Sequence, residues 1–335
     1  MLRLFTSHTA SWMTDALSLN KRLAVTPAAP AWSAAGYDAG SSDERDQYDS
    51  ERFLFMSDFI VDTVALRKLA IAVKRTMLVN QYPKDGRYGI LLSGDAGLGK
   101  STALRAIAGW TIRRYALEQP DLLASGALPV VYVSVPPQAT PKTMLERIAA
   151  SVHLPYAARD TAEVIRMQLV PALEALRTQV IMVDEFHRLE KGLRSNEATN
   201  DALKDLGDLL PCTLVCAGID LDRSGIINDG VRGKSIGGRY SMFRVAPFTA
   251  ADRAEWDRIV AGFIARSHLF GRVEVSSAFL LKRTGGSIGV LNSLFLQAVG
   301  LKLSDEHRAA DEVLTQDDFE AAILPVDAEV QHARR

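Results

Sequence analysis

Short apolar runs alternate along the chain with longer stretches in which apolar residues recur three and four positions apart. Tyr88–Ser93 (YGILLS), Pro129–Val135 (PVVYVSV), Gln179–Val183 (QVIMV), Thr213–Ala217 (TLVCA) and Ser241–Val245 (SMFRV) are largely apolar segments of strand length. Near-continuous runs of this kind predict parallel strands buried on both faces. The stretches between them predict helices. One runs from Lys100 to about Leu117, and one from a cap at Thr140 and a first-turn Pro141 to about Val152. Another starts near Thr161 and should be kinked by Pro171, and a fourth covers Asn196–Leu209. A further helical pattern over Asp62–Val73 precedes the first strand. Strand and helix in alternation predict an α/β fold, a parallel five-stranded sheet covered by helices on both faces.

The pattern changes at both ends of the chain. Beyond Pro247 the strand signals nearly stop. Thr249-Ala-Ala-Asp252 opens a capped amphipathic helix, and helical stretches follow near Ser276, Ser287 and Thr315. Residues 248–325 are therefore expected to form a small all-helical lid, with 326–335 a disordered tail. Residues 1–52 hold one short periodic stretch, Trp12–Leu19, then an Ala/Pro/Ser/Gly-rich passage and the acidic Asp43-Glu-Arg-Asp46. That composition predicts a flexible arm with a short docking helix, and it leaves 53–247 as the core.

The candidate chemistry sits where the strands end. After the first strand comes Gly94-Asp-Ala-Gly-Leu-Gly-Lys-Ser-Thr102, a complete phosphate-loop (Walker A) pattern between a strand and a helix. Glycines 94, 97 and 99 allow backbone amides to turn toward phosphate oxygens, joined by the positive end of the following helix. All nine residues, Gly94, Asp95, Ala96, Gly97, Leu98, Gly99, Lys100, Ser101 and Thr102, are assigned to the nucleotide. Lys100 is expected on the β- and γ-phosphates of ATP and the Ser101 hydroxyl on Mg²⁺. The third strand ends in Asp184-Glu185. Asp184 is expected to hold the same Mg²⁺, and Glu185 to polarise the water that attacks the γ-phosphate. A carboxylate pair placed to activate water disfavours transfer of the phosphoryl group to a bound metabolite.

Composition adds limits. With 335 residues, 47% of them hydrophobic and 24% charged, the chain can bury a sizeable core, and no apolar stretch approaches a membrane span. The N-terminus lacks the long apolar segment of a secretory signal. Two cysteines, Cys212 and Cys216, cannot complete a four-ligand zinc site and predict reduced thiols in a cytoplasm. A net charge of −1 gives no global nucleic-acid signature, so DNA binding would need a local basic surface. Val231–Tyr240, with Arg232, Lys234 and Arg239 and no acid, is either such a surface or a solvated loop.

A core with both Walker motifs followed by a helical lid resembles the AAA+ ATPases. Within them the chain resembles the TniB/TnsC family of ATP-dependent DNA-transposition regulators. Asp184-Glu-Phe-His-Arg-Leu189 is similar to that family's Asp-Glu-hydrophobic-His signature. Ala202–Leu210 with Leu214–Gly218 resembles its helix and fourth strand, Gly238-Arg-Tyr240 its Arg-aromatic element, and Thr284–Phe295 its Gly-rich lid turn. The resemblance covers roughly residues 55 to 322. It implies ATP-driven homo-oligomers, as a ring or helical filament, that bind duplex DNA and present a target to a transposase or another recruited protein. It implies that Arg239, or failing that Arg244, completes a neighbour's ATP site as an arginine finger, the alternative being a surface arginine. It places Thr140, Lys142 and Thr143 on DNA phosphates, where they serve equally well as an ordinary helix cap, with Lys191 and Arg194 as further candidates. His187 is a candidate relay of nucleotide state from Glu185 toward that face, the alternative being a polar residue packed at a strand end. Two departures stand out: Ala217-Gly-Ile-Asp220 lacks a polar sensor residue directly past the fourth strand, and Gly289 stands where many AAA+ relatives carry a sensor arginine. Slow, regulatory hydrolysis is the resulting expectation. Lys282 and Arg283 could substitute for that arginine or be solvated lid charges. The competing function is a nucleotide-switched signalling or defence NTPase that assembles without DNA. A protein-remodelling chaperone ranks below both, because neither an aromatic pore loop nor a substrate domain is evident.

Overall fold

Five parallel strands form the centre of the molecule: β1 (Gly89–Ser93), β2 (Val130–Ser134), β3 (Val180–Asp184), β4 (Thr213–Gly218) and β5 (Tyr240–Arg244), in the order β2-β3-β4-β1-β5. The computed structural model describes residues 13–82, 86–189, 207–208, 212–222, 238–304, 306–324 and 329. The helix expected over Asn196–Leu209 lies almost wholly outside these residues. So do Lys191, Arg194 and the basic stretch up to Gly237.

Residues on each strand alternate between the two faces of the sheet. On one face Leu91, Val131, Val133, Ile181, Val183, Leu214 and Cys216 share a core with α7 (Pro141–Ser151) and α8 (Ala162–Ala175). On the other, Ile90, Leu92, Val130, Tyr132, Val180, Met182, Val215 and Ala217 pack with α4 (Val64–Asn80) and α5 (Lys100–Glu118). A short α6 (Pro120–Ala124) leads from α5 to β2. Thr140 caps α7 with Pro141 in the first turn, and α8 runs on through Pro171 as one helix.

The C-terminal region is helical: α9 (Arg253–Arg266), α10 (Ser277–Thr284), α11 (Ile288–Ser304) and α12 (Gln316–Ala321). Trp256, Phe263, Leu291, Phe295 and Phe319 form their common core. A two-residue parallel pair, β6 (Val273–Glu274) with β7 (Leu314–Thr315), adds to it. Among the described residues no single helix is long and apolar enough to cross a membrane.

The flexible arm expected over residues 1–52 does not hold for residues 13–52. They form α1 (Ala16–Ala24), α2 (Ala34–Ala39) and the start of α3 (Ser42–Ser57), which runs across the expected boundary with the core. Specific anchors outweigh the arm's low hydrophobicity. Asn20 donates from Nδ2 to Val130 O at 2.7 Å and accepts from Val130 N at 3.4 Å, so α1 satisfies the backbone of edge strand β2. Helix α3 joins the lid: Met56 lies in the lid core, and Arg52 donates to both Glu312 oxygens at 2.9 and 2.7 Å and to Asp49. The rings of Tyr37, Tyr48 and Phe270 surround that guanidinium with centroids 5.0–5.2 Å away.

Candidate nucleotide-binding site

Strand β1 delivers the phosphate loop to the carboxyl edge of the sheet. Gly97 and Gly99 adopt φ +74° and +86°, a left-handed backbone that residues with a Cβ rarely tolerate, and Gly99 is the N-cap of α5. Asp95 and Ala96 are exposed on the turn, whereas Leu98 is buried. Lys100 is buried, and its Nζ donates to Gly94 O at 2.8 Å and Asp95 O at 2.7 Å. Burial holds the Lys100 pKa below the ordinary lysine value, and the charges of Asp184, Glu185 and Asp95 oppose that shift.

The acidic pair lies at the end of β3, two strands from β1, with Asp184 its last residue and Glu185 just beyond it. Asp184 is buried and accepts from the Tyr132 hydroxyl at 2.6 Å and from the Glu185 amide at 2.8 Å. Ser101 lies near enough to the same hydroxyl to pull its pKa down, which brings the two residues expected to hold Mg²⁺ to one phenol. Burial, and then the Asp184 charge, push the Tyr132 pKa up, which keeps it a proton donor. A hydroxyl and a carboxylate supply the oxygen-only donor set that Mg²⁺ prefers.

Glu185 sits at φ 57°, a left-handed turn that carries its side chain out of the line of the strand. Its Oε2 lies 3.1 Å from Arg188 Nε and 3.6 Å from His187 Nε2. The Ile219 amide donates to His187 Nδ1 at 3.2 Å, so in the neutral ring the proton is on Nε2, facing Glu185. His187 thereby joins Glu185 to the exit of β4, where the sequence offers no polar sensor side chain. Beyond that exit Asp222 accepts from Ser93 Oγ at 2.5 Å and pairs with Arg244 at 2.7 Å. Sequence reasoning overlooked Tyr132 and Asp222. Tyr132 is the one aromatic residue of β2, but nothing local in the sequence marks Asp184 as its partner.

Arg239 occupies the other end of the sheet. Its carbonyl accepts from Gly89 N at 3.0 Å, at the start of β1, and its guanidinium pairs with Asp208. Five strand residues, roughly 16 Å, separate that level from Gly94. Arg244, in register with Ser93, lies at the phosphate-loop edge.

The lid closes on the loop through backbone. The Gly97 carbonyl accepts from Ser287 Oγ at 2.8 Å and from Gly289 N at 2.9 Å. A Cβ at Gly289 would fall 2.2 Å from that carbonyl oxygen, so no arginine fits there. Arg283 does not replace it, nor is it a solvated charge: it is buried and pairs with Glu329 at 2.8 Å. Between lid, α4, α5 and the end of β5 lies a cavity of about 470 Å³, lined by Ile60, Val61, Thr102, Val245, Ile288 and Asn292 among others. Asn292 Oδ1 is buried without a hydrogen-bond partner.

The residues proposed for DNA are engaged within the chain. Thr140 Oγ1 accepts from Thr143 N at 3.3 Å and lies 3.1 Å from Thr143 Oγ1. Lys142 Nζ donates to Ala158 O at 2.9 Å and lies 3.5 Å from Glu146. The helix-cap role is therefore real.

This strand order, with a phosphate loop after β1, an acidic pair after β3 and a helical lid over the loop, defines a P-loop ATPase of the AAA+ class. Solved structures of similar fold include the Aeropyrum pernix ORC1 protein in complex with DNA, at TM-score 0.54 and 20% identity over 83% of this chain and 69% of that one. The A. pernix ORC2 protein, in ADPNP–ADP complexes, matches at TM-score 0.54 and 13% identity over 90% of this chain and 71% of that one. The family model described as bacterial TniB protein matches residues 63–230, half of the chain, and the chain belongs to the TniB family. No curated protein matches it.

Proposed function

We propose that the protein binds ATP with Mg²⁺, oligomerises on duplex DNA in that state, and recruits or regulates a transposase. The observation that carries the nucleotide part is the convergence of Lys100, Ser101, Asp184 and Glu185 at one edge of the sheet beside a cavity of about 470 Å³. Gly94–Thr102 cradle the triphosphate and the cavity takes base and ribose. Ser101 and Asp184 hold Mg²⁺, which supplies charge neutralisation on the phosphates. Glu185 orients the attacking water and accepts its proton, with His187 and Arg188 fixing the carboxylate. Arg239 serves the γ-phosphate of a neighbouring copy, because it lies too far from its own loop.

DNA binding rests on the resemblance to DNA-transposition regulators, and the A. pernix ORC1 protein, solved in complex with DNA, is a supporting likeness of fold. The N-terminus of α7 and its cap, Thr140 to Thr143, is the surface we assign to phosphates; Lys191 and Arg194, outside the described residues, are further candidates from the sequence. Duplex binding at low and moderate salt, with ATP, ADP or no nucleotide, tests the reading. ATP-dependent, salt-sensitive binding that Lys100→Ala abolishes and Glu185→Gln prolongs is expected. ATP-driven assembly that ignores DNA at every salt would refute the DNA part and favour a signalling NTPase.

A further inference from the structure

The lid and the phosphate loop meet at one peptide group. Both donors on the Gly97 carbonyl come from the start of the lid helix, the Ser287 hydroxyl at 2.8 Å and the Gly289 amide at 2.9 Å. The described chain has no cis peptide, so the C=O of residue 97 and the N–H of Leu98 point in opposite directions across one rigid plane. A carbonyl held toward the lid therefore holds the Leu98 N–H on the opposite side of that plane, away from the lid. This plane swings about ψ of Gly97 and φ of Leu98, and Gly97, at φ +74° and without a Cβ, would otherwise leave it free to do so.

We propose that Ser287 is a positioning residue for the phosphate loop: with the Gly289 amide it fixes the 97–98 peptide so that Leu98 N–H is aimed at a nucleotide phosphate. The proposal rests on the nucleotide-binding reading of the site and deepens it. The lid thus senses occupancy without a charged side chain. An anion on the Leu98 amide favours the peptide orientation that the lid holds, and by linkage nucleotide favours lid docking by the same factor by which docking favours nucleotide. The fit depends on Gly289, since a Cβ there would meet Gly97 O at 2.2 Å and Gly97 Cα at 3.2 Å. Ser287 is itself buried, and its Oγ also caps α11 by accepting from Val290 N at 3.3 Å.

The test is equilibrium binding of a fluorescent ATP analogue (mant-ATP) to the full chain, with amide hydrogen exchange resolved at residues 94–102. Ser287→Ala should weaken binding roughly three- to ten-fold, the range of one hydrogen bond. Protection of the Leu98 amide in the ATP-bound protein should fall more than that of Ser101. Ser287→Thr, which keeps the hydroxyl, should restore both readouts, and Gly289→Ala should weaken binding further than Ser287→Ala. Wild-type affinity and unchanged Leu98 protection in Ser287→Ala would overturn the proposal, as would equal impairment of the Ala and Thr variants. Should Ser287→Ala not fold, as judged by its melting curve, Gly289→Ala carries the same comparison. Lys100→Ala separates the two readings: if it binds mant-ATP as the wild type does, the nucleotide site itself is misassigned. If Lys100→Ala fails to bind while Ser287→Ala binds normally, only the present proposal falls.

Discussion

Asn292 carries an energetic burden that the fold alone does not explain. A buried carbonyl oxygen without a partner costs on the order of 1–3 kcal/mol, and Asn292 Oδ1 is in that position on the wall of the cavity. A group retained at that cost beside a candidate base pocket is best explained by a ligand that one end of the amide meets. Asn292→Leu, close in volume and apolar, should therefore leave the melting temperature unchanged or raise it, while ATP affinity falls and discrimination between ATP and GTP narrows. Parallel melting and competition-binding measurements check this, and a destabilised variant with normal nucleotide selectivity would contradict it. At this scale the sequence was legible where chemistry demands a fixed spacing. The phosphate-loop pattern and Asp184-Glu185 could be read directly because the residues of each pattern are close in sequence. Tyr132 and Asp222 were not, because their roles come from Asp184 and from Ser93 with Arg244, contacts made only once strands pair.

Helix α3 shows the same limit at the scale of elements. Its acidic, weakly apolar sequence reads as solvated. Its stability comes from Arg52, which meets Glu312 across 260 residues inside an aromatic cage. The strands and most helices were legible because periodicity is a local property, whereas the attachment of the N-terminal helices depends on a few long-range polar contacts. Burial alone would raise the Glu312 pKa, but hydrogen bonds from His307 and Arg52 outweigh it and hold the carboxyl below the ordinary glutamate value. A depressed folded pKa means that the stabilisation is complete above the unfolded glutamate pKa, about 4.3, and is lost as pH falls through the folded value. Glu312→Gln removes one of the two carboxylates on Arg52 and leaves Asp49, and should cost about 1.5–3 kcal/mol in urea unfolding at pH 7. The gap between variant and wild type should narrow as pH drops below about 4. A gap that stays constant down to pH 3 would show that the Glu312 charge does not stabilise the α3–lid contact.

At the scale of the whole molecule, the position of Arg239 turns a sequence resemblance into a geometric requirement. It lies at the entrance of β5, level with the start of β1, and the loop it is proposed to serve is at the other end of that strand. No side chain spans that length of strand, so an arginine finger at this position can act only across an interface between copies. Its pairing with Asp208 does not decide the matter, because a partly exposed ion pair contributes modestly and the guanidinium can exchange it for a phosphate. Two variants separate the roles. Arg239→Ala keeps Glu185 but lacks the finger, and Glu185→Gln keeps the finger but lacks the base. Each alone should lower ATP turnover by roughly a thousand-fold if the finger has its usual weight. Mixed in equal amounts, the two proteins would form a whole site wherever an Arg239→Ala subunit has a Glu185→Gln neighbour on its finger side. Random assembly places such pairs at about a quarter of positions, so turnover should recover to roughly a quarter of the wild-type value per site. Recovery of that kind requires a shared site, because neither variant can repair itself. If instead the mixture is as inactive as its components, and Arg239→Ala melts well below the wild type, the arginine is a brace between β5 and Asp208 and the finger must be sought elsewhere, with Arg244 at the phosphate-loop edge of β5 the next to test.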